Sequence, residues 1–405
     1  MKEYLVSLMI LLFFHSCSNN QGADNVSKSQ EFFNINFEEI LANKRQINLS
    51  QLASDIKYII LETNDNCMIN RNVEYFFTDS LIFIKNLNHI LKYSRNGKFL
   101  KKIGNPGRGP GEIDLIRIMS ILPDKRLIIV QLNSKRELLY FNFDGKLVKT
   151  IDLTTPYYQI KILDEGKYVV YNKIFMGNEQ YSFILANEEW DTISTVENYT
   201  KWDRNTYFAL GYSDFKPFYF YNGHLYLKTM YNDTVYTIES EKIKPSYFIN
   251  LGKYKLPEEL IPDKLGREQL QKFRDNSKNH FFAMVHEASN KVFFKAPNYQ
   301  ESINKYILFD KKYQKGTLLA NENADSKGFI NDWDGGIDFW PVGNLNDNQV
   351  YMPVYVMDLQ KSLEKNKISK ISSKYKDKQE QLLDLISSLD VSSNPILMVV
   401  TLKND

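Results

Sequence analysis

The densest chemistry in this 405-residue chain lies in Asn331 to Pro341, NDWDGGIDFWP, where Asp332, Asp334 and Asp338 alternate with Trp333, Phe339 and Trp340. The carboxylates are spaced loosely as in a calcium loop. Such a loop ends on a bidentate glutamate at its twelfth position, and here Gly343 stands there, so no metal is assigned. The rings offer another chemistry, since indole and phenyl faces stack on a sugar or a peptide. Aromatic residues also pack between β-elements, and the sequence leaves both roles open. Trp333, Asp334, Asp338 and Trp340 are the candidate ligand-binding residues.

A second candidate is Gly104 to Glu112, GNPGRGPGE. Its four glycines allow backbone angles that side chains forbid, while Pro106 and Pro110 stiffen the path, so it is a fixed bend. It lacks the lysine and Ser/Thr of a phosphate-binding P-loop, and no helical pattern follows it. Arg108 and Glu112 either line a binding face or pair with each other across the loop.

Other chemistries find little support. Beyond the first segment the histidines are His89, His224, His280 and His286, without H-x-x-x-H spacing, and there is no nucleophile elbow. No cofactor is expected. With 51 Lys plus Arg against 49 Asp plus Glu the chain is nearly neutral, and no basic stripe suits phosphate backbones, so nucleic acid is discounted as a partner.

The N-terminus reads MKEYLVSLMILLFFHSCSNN. Leu5 to Phe14 is an apolar stretch too short to span a bilayer, with Lys2 before it and Ser16 just before Cys17, which is the pattern of an export signal. FFHSC resembles a bacterial lipoprotein signal, in which the cysteine becomes the lipidated first residue; Phe14 and His15 depart from the usual Leu and small residue. Residues 1–17 are read as signal with lipidation at Cys17, and 18–31 as a flexible tether. After Cys17 only Cys67 remains, so no intrachain disulfide is expected, and Cys67 reads as a small buried hydrophobe.

These residues must be positioned by β-structure. The aromatic share of 14% favours strands. One unit recurs six times, a polar turn followed by a short apolar strand: DSLIFI at Asp79, DKRLIIV at Asp124, EGKYVVY at Glu165, NGHLYLK at Asn222, SNKVFFK at Ser289 and DNQVYMP at Asp347. A second hairpin follows most copies, from Lys92, Leu139, Ile184, Val235 and Ile307. Asn96-Gly97 and Asp144-Gly145 suit tight turns with two positive φ angles. A period of about forty residues is that of four-stranded propeller blades. The predicted fold is all-β, a six-bladed β-propeller over 32–405. The apolar strand Lys57 to Thr63, expected to be buried on both faces, should pair with Pro395 to Leu402 to close the ring. Helical insertions are predicted near 257–277, where Leu265, Leu270 and Phe273 share a face, and 361–390, where Leu382, Leu383, Ile386 and Leu389 do.

Gly97 to Ile151 resembles NHL-type propeller repeats, with a Gly-rich interblade loop leading into strand, turn and hairpin. More widely, the chain is similar to six-bladed propeller lipoproteins of Bacteroidetes through the loop Gly107 to Glu112, the segment Asp332 to Pro341 and the terminal strand Asn394 to Val400. Gln131 stands where NHL repeats usually carry Asp, so ligand habits are not transferred. The resemblance implies a cell-envelope lipoprotein, on the outer membrane and facing the periplasm or the cell surface, held to the membrane by an N-terminal lipid. Its propeller would bind a glycan, peptide or partner protein without catalysis. The alternative is a metal-dependent hydrolase or lyase with its metal in the central channel. Fold alone does not choose between them.

Overall fold

The turn-plus-strand units resolve into six antiparallel sheets in the computed structural model, which describes residues 32–403 apart from 134, 154–158, 165, 174–177, 200–214, 262–265, 321–326 and 366–375. Cys17, the signal and the tether lie outside the described residues. Blade 1 comprises Glu74–Phe77, Leu81–Asn86, His89–Ser94 and Phe99–Ile103. Blade 2 follows with Ile116–Leu122, Leu127–Leu132, Glu137–Asn142 and Leu147–Asp152, and blade 3 with Gln159–Asp164, Lys167–Tyr171, Tyr181–Ala186 and Thr192–Glu197. Blade 4 is Phe218–Tyr221, His224–Lys228, Thr234–Glu239 and Lys242–Asn250. Blade 5 is Met284–Ala288, Lys291–Pro297, Asn304–Asp310 and Lys315–Leu319. In each of these the apolar strand of the repeated unit is the second strand. First strands pack side by side between blades 2 and 3, 4 and 5, and 5 and 6, and the six sheets form a ring, a six-bladed β-propeller.

Blade 6 takes its strands from both ends of the fold. Gly343–Asn346, Gln349–Val354 and Ile396–Leu402 are completed by Ala53–Ile60, paired antiparallel from Ile396 opposite Ile60 to Leu402 opposite Ala53. The closing strand therefore lies a few residues before the expected span. Both its faces carry buried residues, Ile56 in the core of blade 6 and Ile59 with Leu61 against blade 1, while Ile60, at the end of this outermost strand, is 40% exposed.

The route to that strand was not foreseen. Phe33–Asn36 adds in parallel to the outer strand of blade 4, with Phe33 opposite Tyr247 and the two rings stacked at 4.7 Å. Helix α1, Phe37–Ala42, starts where the Asn36 side chain accepts from the Glu38 and Glu39 amides, a capped N-terminus with acids in its first turn. Lys44–Arg45 adds in parallel to the outer strand of blade 5, and the short α2, Leu49–Leu52, leads into blade 6. The N-terminal segment is thus a belt across three blades.

In a four-stranded meander the 1–2 and 3–4 turns leave by one face, and the 2–3 and interblade connections by the other. The first face holds tight turns with positive φ at both central residues in Asn222-Gly223, Ser240-Glu241 and Ser289-Asn290. Asn96-Gly97 and Asp144-Gly145 differ from expectation. Only their glycines have positive φ, and each follows a turn closed by the glycine amide on the Ser94 or Asn142 carbonyl, with a bulge alongside. The helical insertions belong to the second face. Helix α3, Arg267–Asn276, lies between blades 4 and 5 and buries Phe273. Helices α4, Val356–Lys365, and α5, Lys376–Ser387, sit between the second and third strands of blade 6. In α5, Leu382 and Ile386 are buried while Leu383 turns to solvent.

The junction of blades 6 and 1 is pinned by buried Asn394. Its Nδ2 donates to the carbonyls of Glu62 (2.8 Å) and Cys67 (2.9 Å), and its Oδ1 accepts from the Ile69 amide (2.9 Å). Truncation would leave the Ile69 amide without its acceptor, at a cost of about 1–3 kcal/mol, while the two carbonyls keep Tyr93 Oη and Cys67 Sγ as donors. We predict that Asn394→Ala lowers unfolding stability in urea by about 2 kcal/mol. An unchanged midpoint and slope would show that the pin is dispensable.

Candidate ligand-binding site

Asn331 shapes the segment before any ligand is considered. Its Oδ1 accepts from the amides of Trp333 and Asp334, and its Nδ2 donates to Asp334 Oδ1 at 2.7 Å, a local turn typical of Asn. Phe329 and Phe339 exchange both backbone hydrogen bonds, which folds the intervening residues into a closed loop. The three carboxylates then point to different partners. Asp332 accepts from the amide and hydroxyl of Ser50 in α2, and Asp338 accepts from the Asn331 amide at 3.1 Å. Asp334 accepts from Gly336 N (3.0 Å) and from the Tyr58 hydroxyl (2.8 Å) on the outer strand of blade 6.

The sequence-derived candidates therefore separate. Trp340 packs among Phe293, Phe329 and Tyr306, with ring centroids 4.8 to 6.1 Å away. Asp338 holds the loop. Arg108 and Glu112 lie in the connection between blades 1 and 2, away from this group in the fold order. Glu112 accepts from the Gly109 amide at 2.7 Å, and a Cβ on Gly107 would fall 1.9 Å from its Oε2, so this carboxylate fills the space the glycine leaves. Arg108 is exposed.

Trp333 and Asp334 do share a cavity. It has a volume of about 240 Å³ and lies between the outer strand of blade 6, which contributes Ile56, Lys57 and Tyr58, and α5, which contributes Lys378, Gln381, Leu382 and Leu385. Its floor is buried, with Trp333 8% and Asp334 2% exposed, and its edge is formed by the exposed Lys57 and Gln381. A Cβ on Gly336 would meet Leu382 Cδ2 at 2.9 Å, so glycine there lets α5 close over the loop. Burial, and then the Asp334 charge, hold the Tyr58 phenol well above its ordinary range, so it remains a donor. Sequence reasoning missed Tyr58, Lys378 and Gln381. The apolar stripe of α5 was visible, but nothing local said what it covers.

Among the described residues no three His, Cys, Asp or Glu side chains are grouped to hold a metal ion. His89 is engaged with Asn86 and Asn88, and burial lowers its pKa to about 4; burial lowers that of His286 to about 3.

Comparison with known proteins bears on the fold. A family profile described as a domain of unknown function, DUF4934, matches residues 32–401. No curated protein matches. A Bacteroides fragilis structure described as an exported protein is similar at 16% identity and a TM-score of 0.69, over 92% of this chain and 100% of that one. A DUF4221 family member from Bacteroides vulgatus is similar at 12% identity and a TM-score of 0.46, over 87% and 97%. A virginiamycin B lyase from Staphylococcus aureus aligns at 12% identity and a TM-score of 0.35, over 68% and 77%.

Burial raises the Asp334 carboxyl above its ordinary value of 3.8, and the hydrogen bonds from Gly336, Tyr58 and Asn331 oppose it only in part. The folded state then holds a proton that the unfolded state has released, so stability falls as pH rises from about 4 through the folded value. Urea midpoints across that range should show this fall in the wild type and a flatter profile in Asp334→Asn. Parallel profiles would exclude Asp334 as its source.

Proposed function

We propose, for a chain that belongs to the DUF4934 family, that it is a cell-envelope lipoprotein whose propeller binds a glycan without catalysis, at the cavity between blade 6 and α5. The observation that supports this is the composition of the cavity: an indole and a phenol, a buried carboxylate, and an amide and two ammonium groups at the edge. Sugar rings have an apolar face that suits aromatic side chains and hydroxyls that suit carboxylates and amides. Asp334 Oδ2 accepts from Tyr58 and keeps acceptor capacity for a hydroxyl. The volume of about 240 Å³ is below the range of about 300–1,000 Å³ for drug-sized pockets, so it suits one ring at a chain end or branch.

The envelope reading is supported by the apolar segment before Cys17 and by the exported description of the Bacteroides fragilis protein of similar fold. Lipid attached at Cys17 would hold the propeller to the outer membrane, facing the periplasm or the cell surface. Among the described residues no helix is long and apolar enough to cross a membrane.

Trp333 and Asp334 are structural as well as lining, so the edge gives the cleaner test. Gln381→Ala and Lys378→Ala should keep wild-type melting and lose about tenfold in affinity for a glycan identified on an array, while Arg108→Ala binds as wild type. Full binding by both edge variants would sink this assignment. For the anchor, Cys17→Ser should move the protein from the membrane to the soluble fraction and abolish palmitate labelling; unchanged membrane retention would refute lipidation there.

A further inference from the structure

Lys161 lies in the first strand of blade 3, flanked by buried Ile160 and Ile162. Its Nζ is 5.7 Å from the ring centroid of Phe76, in the first strand of blade 1, and 5.2 Å from that of Phe220, in the first strand of blade 4. Axis-lining strands of three blades meet at one cation, which places it in the central channel. Glu74, on the same strand as Phe76, attracts the Lys161 charge, but it is paired with Lys85. Lys85 Nζ also donates to the Arg117 carbonyl at 3.0 Å, and the Arg117 guanidinium donates to Asn133 at 2.8 Å.

Glu74 thus stands between Lys85, its ion-pair partner, and Lys161, and among the described residues no hydrogen-bond acceptor reaches Lys161 Nζ. Burial lowers its pKa to about 8, with Glu74 opposing. Phe220 is 46% exposed although it sits on an axis-lining strand, so an aromatic face is open to solvent beside the cation. On the side of blades 4 to 6 the channel is stitched: the Asn222 amide donates to Asp347 Oδ1 at 2.8 Å, and Asn344 Nδ2 donates to the Glu287 carbonyl. A lysine kept only to fill the channel would need no open ring at its side. We propose that the central channel binds a carboxylate ligand with an apolar or aromatic body, the carboxylate on Lys161 Nζ and the body against Phe76 and Phe220.

This site shares no residue with the blade 6 cavity, so the two assignments fail separately. Bound carboxylate stabilises the protonated amine, so affinity falls as pH rises past the free Lys161 value, with Glu74, itself paired to Lys85, as the charged group acting on it. Calorimetry on the full chain would use benzoate as charge plus ring, inorganic phosphate as charge alone and benzyl alcohol as ring alone. Benzoate is expected to bind, about thirtyfold more tightly near pH 7 than near pH 9.5, with phosphate weaker and benzyl alcohol silent. Lys161→Met should abolish benzoate binding while Lys378→Ala leaves it intact. Because Lys161→Met risks disturbing the channel, reductive methylation of wild-type lysines read by mass spectrometry supplies the second measure: benzoate should slow modification of Lys161 selectively. Benzoate that neither binds nor slows that modification overturns the proposal, as does unchanged binding by Lys161→Met. Phosphate binding as tightly as benzoate overturns the role given to the rings.

Discussion

Closure of the ring is the constraint on which the rest depends. Each blade can bury its faces only against two neighbours, and an open ring would leave the faces and edges of its terminal blades bare. Pairing Ala53–Ile60 with Ile396–Leu402 removes that defect. The core cluster of blade 6 then joins residues from both termini of the fold, Leu52 and Ile56 with Met398, Val400 and Leu402, through the same packing that holds Val350 and Val354. Asn394 adds direction to this apolar contact, because its hydrogen bonds fix where the chain leaves blade 6 and enters blade 1.

The candidate cavity is a consequence of closure. Tyr58 is the residue opposite Met398 in the closing pair, and it reaches Asp334 only because the belt delivers the N-terminal strand to the outside of blade 6. Helix α5, inserted between the second and third strands of that blade, covers the same strand from the other side. Three pieces of chain far apart in sequence thus build one pocket, and none has a reason to hold its shape alone. The aromatic residues divide the labour: Trp340 packs inward with Phe293 and Phe329, while Trp333 forms a wall.

The channel follows a different logic. Lys161 and Glu74 stand on axis-lining strands and Lys85 on the strand behind, so the charges near the axis are matched locally. Glu74 answers Lys85, Arg117 has Asn133, and Lys161 rests against rings. A hint of this was visible in QIKILD, where one lysine interrupts an apolar strand, but which other blades it would face was not.

What the sequence determined by itself were the features set by short-range chemistry. Polar turns before apolar strands from Asp79 to Asp347 marked the second strand of every blade, and the apolar run after Asn394 marked the closing strand, because period and turn preference act within a few residues. Trp333 and Asp334 were visible as candidates by type, and so were Trp340 and Asp338, with nothing local to tell a wall residue from a packing one. Only the tertiary structure decided that. The partners of Asp334, Tyr58 and α5, lie 276 residues before it in the case of the Tyr58 hydrogen bond and dozens after it for the helix, and their approach is dictated by ring closure, not by any pattern near residue 334. The belt across blades 4 to 6 escaped for the same reason: Phe33–Asn36 and Lys44–Arg45 are too short to read as strands and become so only when Tyr247 and Leu318 present open edges beside them.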